Sequence, residues 1–287
     1  MSLIDKEYPN IEKNKRDKYR DFIEKRCSDY YFLGYLRCTG GDVGGAAKFY
    51  NLDDSLRTAL LRHIVRLEIQ LKTDFFNCAE KQTGCNSIWD NPSYYLPSSL
   101  SLDAKTGKSK FDKTKSNIEN ALQKHRFSTP GPGNMRAASF MSFGAFIDLY
   151  KNIDLRYKGA FIEKYTDYLP IKGESVSKRY EVLFKYLQAI RVVRNRCAHG
   201  NHVITRKFLY ELNPQIRLIQ KPLTPFNEDA TVFEAVLLFI LKNSNCKEEF
   251  QQYITRILRK YHSLLKKYSG KHSFSDNVIK NLGMDNL

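Results

Sequence analysis

Residues 50–75 read YNLDDSLRTALLRHIVRLEIQLKTDF, and this stretch decides the fold class. Leu56, Leu60, Ile64, Leu67 and Leu71 recur at steps of four and three, which is one face of an α-helix and not the alternation of a half-buried strand. Asn51 reads as the N-cap, with Asp53 and Asp54 in the first turn, where acids meet the positive end of the helix dipole. The expected helix covers roughly 52–76, with Arg57, Arg62, Arg66 and Glu68 flanking the stripe.

The same period continues on both sides. Residues 8–37 read as a basic helix ending in the aromatic cluster YYFLGYL (30–36), followed by a glycine-rich connector, CTGGDVGGAAKF (38–49). That connector lacks the G-K-[ST] ending and the preceding strand of a phosphate loop. Residues 84–109 are turn-rich, a short amphipathic helix is expected at 110–126, and STPGPGN (128–134) reads as a break. In SFMSFGAFIDLYKNI (139–153), Phe140, Phe143, Phe146, Ile147, Tyr150 and Ile153 keep helical spacing. Further helices are expected at 176–199, 230–243 and 247–268, with a polar, mobile tail after Ser269. No run of alternating strands and no repeat of 20–50 residues occurs, so the expected class is all-α. The expected organisation is a basic extension (1–50), a core (51–225), C-terminal helices packed on it (226–268) and the tail (269–287).

The chain of 287 residues is long enough for a substantial core. Its longest apolar run, AVLLFIL (235–241), is too short to cross a bilayer, and the charged N-terminus lacks the apolar stretch of a secretory signal; a cytoplasmic protein is expected. The six cysteines form no C-x-x-C pair and are expected as free thiols. The net charge is +16 and is clustered: residues 105–126 carry seven Lys/Arg against Asp112 and Glu119, and residues 256–271 carry six with no acid. Such clustering favours a polyanionic partner, nucleic acid first, over a merely solvated surface. Lys110, Lys113, Lys115, Arg256, Arg259 and Lys260 are the corresponding candidates for contacting phosphates.

RVVRNRCAHGNH (191–202) ends the helix that begins near 176. Carrying the stripe Leu183, Leu187, Ile190 forward by heptad steps places Arg194 and then Cys197 on the apolar face, where a guanidinium is costly unless it is paired or faces a polar cleft. Arg191, Asn195 and His199 lie four apart on a neighbouring face, and Gly200 is a natural C′ residue. Arginine binds phosphate bidentately without losing its proton, while histidine exchanges one near neutrality. Together they suit RNA cleavage, in which the 2′-hydroxyl attacks, a base removes its proton and a cation stabilises the charged phosphorus centre without metal. Two structural readings stand beside this one: a histidine favoured at the negative end of the helix dipole, and an arginine buried in an ion pair with Glu68 or Asp148. Spacing alone does not choose, since Arg57–His63, Arg196–His202 and Arg256–His262 show comparable separations. A metal reading through Cys197, His199 and His202 lacks a fourth ligand and sets a cation beside arginines, so no metal and no cofactor are expected.

The segment LQAIRVVRNRCAH resembles the HEPN signature, R-[NDH]-x-x-x-H, in the form found in Abi-like abortive-infection proteins of the AbiD/AbiF type. YNLDDSLRTALLRHIVRLEIQLKTDF, IWDNPSYY and SFMSFGAFIDLYKNI resemble that family's other segments in the same order, over roughly residues 50–205. The resemblance implies an all-α HEPN-like bundle, a metal-independent endoribonuclease acting in phage defence, and a homodimer that joins two motifs. Arg194 corresponds to the motif arginine, Asn195 to its polar neighbour and His199 to the motif histidine. The chain departs from the family at HGNH, which leaves His202 peripheral; with Arg191 and Arg196 it is grouped with the RNA-contacting candidates. RNA is the expected partner, as substrate and as a small regulatory RNA. The alternative is a non-catalytic RNA-binding or scaffolding protein on the same fold.

Overall fold

The computed structural model describes residues 3–11, 13–124, 133–167, 173–204 and 232–268, and among them the chain is helical with no strand and no sheet. None of their helices is long and apolar enough to cross a membrane. The polar tail and most of the break at 128–134 lie outside the described residues. The chain divides into two compact units, one drawn from Met1–Ile64, Val192–Leu241 and Cys246–Leu287, the other from Val65–Arg191 and Lys242–Asn245.

In the first unit, one basic helix was expected over 8–37. Three short ones stand there: α1 (Leu3–Glu7), α2 (Lys13–Arg26) and α3 (Asp29–Thr39), with a break at Cys27–Ser28, where Ser28 is extended. The next helix, α4 (Val43–Thr83), starts nine residues before the expected 52, so Asn51 is not its N-cap. Asp42 holds that position, its Oδ1 accepting from Gly45 N–H at 3.0 Å, while its Oδ2 accepts from Tyr268 Oη at 2.5 Å and Lys267 Nζ at 3.0 Å. Those three donors hold the carboxyl well below the usual range. The apolar stripe also extends backwards through Val43, Ala46, Ala47, Phe49 and Leu52, all buried. That burial outweighs the cost of helical Gly44 and Gly45. Gly45 is dictated by space, since a Cβ there would stand 2.6 Å from Tyr268 Oη. The glycine-rich connector thus shrinks to Gly40–Asp42.

The early start moves Asp53 from a solvated first turn into the middle of a helix, where it is fully buried. All its acceptor sites are used. Oδ1 accepts the backbone N–H groups of Val203 and Ile204, each at 3.0 Å, and Oδ2 accepts Tyr35 Oη at 2.7 Å and Arg57 Nη1 at 2.5 Å. Arg57, one turn on, also donates to exposed Asp54 at 3.0 Å. Burial pushes the Asp53 carboxyl up, while Arg57, the tyrosine and the two amides draw it back.

His202 lies in the same layer. Its ring stacks on Tyr31 with centroids 5.4 Å apart and tilts against Tyr35 at 4.3 Å. A Cβ at residue 34 would stand 2.6 Å from its Cε1, so only glycine lets the imidazole approach α3 this closely. Burial first, then the charges of Arg57 and Arg196, push His202 down to about 4. It is therefore neutral at pH 7 and packs against Tyr31 and Tyr35, offering RNA no positive charge.

Among the described residues, the other helices of this unit are α11 (Val232–Asn243, continuing into the second unit), α12 (Lys247–Lys260) and α13 (His262–Lys267). The single helix expected over 247–268 breaks at Tyr261. Their apolar side is buried through Phe233, Val236, Ile240, Phe250, Ile254 and Leu264, and Phe250 meets the His63 ring at 4.8 Å.

The second unit contains the rest of α4, a turn-rich stretch with α5 (Pro97–Leu100), and helices α6 (Lys110–Gln123), α7 (Gly133–Phe140), α8 (Phe143–Asn152), α9 (Gly159–Thr166) and α10 (Val176–Ala198) up to Arg191. Helix α6 opens with a capping box in which Ser109 and Asp112 each bond the other's backbone N–H. Residues 139–153 form two helix segments and not one, because Ser142 caps α8 by accepting from Ala145 N–H at 3.1 Å. Phe140 accordingly ends α7. The core is aromatic: Phe75 meets Phe146 at 5.6 Å and Phe161 at 5.5 Å, both edge to face.

Two outcomes are expected from the layer around Asp53. Asp53→Ala removes four bonds and leaves buried Arg57 and two amides uncompensated, costing about 3–5 kcal/mol. Asp54→Ala, at the exposed end of the same arginine, costs under about 1 kcal/mol. Urea unfolding with an unchanged slope checks both. The neutral His202 contributes stability that is complete above its unfolded value of 6.5 and is lost as pH falls through about 4. That window is worth about 3 kcal/mol, and His202→Phe, which keeps the ring and removes the proton site, flattens the loss of melting temperature across it.

Candidate functional site

The site is built on the last turns of α10. Its buried line is Leu183, Leu187, Ile190, Val193 and Cys197, with steps of four, three, three and four. The stripe therefore runs through Val193 and not through Arg194, as heptad steps had placed it. Arg194 is half-buried at the edge of the apolar line, while Asn195 and His199 are exposed. The guanidinium Nη1 donates to Asn195 Oδ1 at 3.4 Å.

Helix α10 ends in a Schellman motif. Gly200 adopts φ +70°, its N–H donates to Cys197 O at 3.3 Å, and Asn201 N–H donates to Arg196 O at 2.9 Å. The left-handed residue turns the chain sharply and leaves His199 at the C-cap, directly after the last helical residue Ala198, with its N–H still bonded to Asn195 O at 2.9 Å. The imidazole stands at the negative end of the helix dipole, where a positive charge is favoured. Beyond it the chain is pinned twice: Asn201 Oδ1 accepts from Tyr31 Oη at 2.6 Å, and the amides of Val203 and Ile204 bond Asp53. An exposed histidine is thus carried on a turn held from both sides.

The other candidates separate. Arg196 is half-buried, its carbonyl serving the Schellman motif. Arg191 belongs to the second unit, where it opposes the upward push of burial on the Asp148 carboxyl. Lys110, Lys113 and Lys115 are also in that unit; Lys115 pairs with Asp90 at 2.5 Å, and Lys113 Nζ lies 4.0 Å from Asp103. Arg256, Arg259 and Lys260 are exposed on α12 in the first unit. Cys197 faces the core, where burial pushes its thiol up to about 12, so it does not suit a metal-binding thiolate. Among the described residues, no three His, Cys, Asp or Glu side chains gather as metal ligands.

Sequence reading missed Tyr31, Tyr35, Asp53 and Arg57, the groups that pin this turn. One signal was available: Asp53 lies three before Leu56 on the apolar stripe, with Arg57 four residues on. An acid on a core face implies a buried partner.

No curated protein and no solved structure matches this chain. The family model described as Abi-like protein matches residues 35–205, from the aromatic end of α3 to just past the pinned turn. That match takes in more than half of the 287 residues, together with the whole of α4 and α10, and the chain belongs to the Abi-like protein family.

Proposed function

We propose that this protein is a metal-independent endoribonuclease of bacterial abortive-infection defence. Family membership points to phage defence. The observation that carries the finer reading is the end of α10, where exposed His199 and half-buried Arg194 stand within five residues, with Arg194 Nη1 donating to Asn195 Oδ1. Burial of either in the interior would have left no route for a phosphate.

In this reading His199 accepts the proton of a ribose 2′-hydroxyl, and the freed oxygen attacks the adjacent phosphorus. Arg194 offers a fixed, always charged fork to the non-bridging oxygens as negative charge builds. Asn195 holds the guanidinium in place. The P–O5′ bond breaks, giving a 2′,3′-cyclic phosphate, and O5′ takes its proton from the same histidine of a second copy in a symmetric dimer. A small RNA bound to the basic surface acts as the regulator.

Arg194→Ala and His199→Ala are each expected to lower RNA cleavage by about 10²–10⁴-fold with EDTA present, with 2′,3′-cyclic phosphate ends on the wild-type products. His199→Ala should leave folding stability within about 0.5 kcal/mol, because the side chain is exposed. Cleavage that persists in both variants would reject this reading in favour of a non-catalytic RNA-binding protein. Cleavage abolished by EDTA would assign the chemistry to a metal.

A further inference from the structure

The charge clustering in the sequence marks two basic stretches, and the structure treats them differently. On α6 the positive charge is answered in part: Lys115 Nζ reaches Asp90 at 2.5 Å and Glu119 at 3.9 Å, and Lys113 faces Asp103, while exposed Lys110 makes no ion pair among the described residues. On α12 and α13 it is not. Among the described residues Arg256, Arg259, Lys260 and Lys266 form no ion pair, and all four are exposed. Lys267, next in the chain, is occupied by Asp42.

Geometry gathers these cations. On a helix of 100° per residue, Gln252, Tyr253, Arg256, Arg259 and Lys260 fall within a sector of about 120°. Phe250, Ile254, Ile257 and Leu258 occupy the opposite sector and are buried. Tyr253 is 42% exposed on the cationic side, and Lys260 Nζ stands 5.2 Å from the Tyr261 ring. From Phe250 to Tyr268 the chain has no acidic residue.

We infer that the solvent face of α12 and α13 is a docking surface for the phosphate backbone of RNA, separate from the chemistry at the end of α10. Three or four cations gathered on one side suit successive phosphates, and exposed Tyr253 offers a face for stacking an unpaired base. An anionic membrane is the poorer fit. A helix lying in a bilayer interface needs its apolar side free, and here that side is spent on the core. The choice of RNA among polyanions rests on the nuclease reading; the cationic face does not.

The test is fluorescence anisotropy with a labelled 2′-O-methyl RNA hairpin, which has no hydroxyl to attack, so binding is scored apart from cleavage. The full chain carrying Arg256→Gln, Arg259→Gln and Lys260→Gln should bind at least 10-fold more weakly at 0.1 M salt. Its slope of log affinity against log salt should be shallower by about two to three. Lys110→Gln, Lys113→Gln and Lys115→Gln together should change affinity less than 3-fold, although the loss of formal charge is equal. Equal losses in the two triple variants would overturn the inference, leaving only net charge. So would an unchanged slope in the α12 variant, or binding to vesicles of anionic phospholipid that the α12 variant loses while RNA binding survives. The 2′-O-methyl probe cannot be cleaved, so the nuclease reading can fail without the surface, and the surface without it.

Discussion

Asp53 is the constraint around which the first unit is arranged. A carboxylate buried in a helix has to be answered, and this one accepts four bonds drawn from three places in the chain: Tyr35 on α3, Arg57 on α4, and the amides of Val203 and Ile204 beyond α10. Two of those donors are backbone groups with no sheet or helix to satisfy them, so the anion does for that segment what secondary structure does elsewhere. The bonds run from one turn of the same helix, at Arg57, to 151 residues away, at Ile204, and each tightens the location of the others.

The consequence for the site is indirect. His199 and Arg194 touch none of these groups in the bonds described, yet the chain leaving His199 is held by Tyr31 at Asn201 and by Asp53 two and three residues later. The packed His202 ring between Tyr31 and Tyr35 fills the space in the middle. An exposed imidazole on an unpinned turn would sample many positions. Fixing the turn on both sides lowers the cost of presenting it in one. The two histidines, three residues apart, have opposite uses: one is kept neutral by burial, and the other is left in solvent at a helix end.

Much of this was legible in the chain. The stripe Leu56–Leu71 announced a long helix and Gly200 announced the end of α10, while the Arg-Asn-x-x-x-His segment supplied the candidate site; each depends on residues within a few turns of one another. Errors came where local rules had two readings. Asn51, Asp53 and Asp54 suit a helix start, but a start at Asp42 buries one more stretch of apolar side chains, and that burial won. Heptad extrapolation put Arg194 on the core line, whereas the buried arc of α10 is broad and also takes in Val182, Tyr186, Ala189 and Val193, so that Arg194 falls towards its edge. Charge clusters looked alike in composition, and only the placement of Asp90 and Asp103 beside α6 told them apart.

The sequence by itself determined the all-α class, the position of the principal helices, the motif at the end of α10 and the excess of positive charge. These are periodic or compositional properties, readable from neighbours along the chain. Only the tertiary structure decided that Asp53 is an internal anchor, that His202 is neutral packing, and that Lys113 and Lys115 of α6 meet carboxylates while Arg256, Arg259 and Lys260 of α12 do not. Such outcomes turn on which groups meet across dozens of intervening residues, and burial and pairing at those meetings set the charge state that no single segment carries.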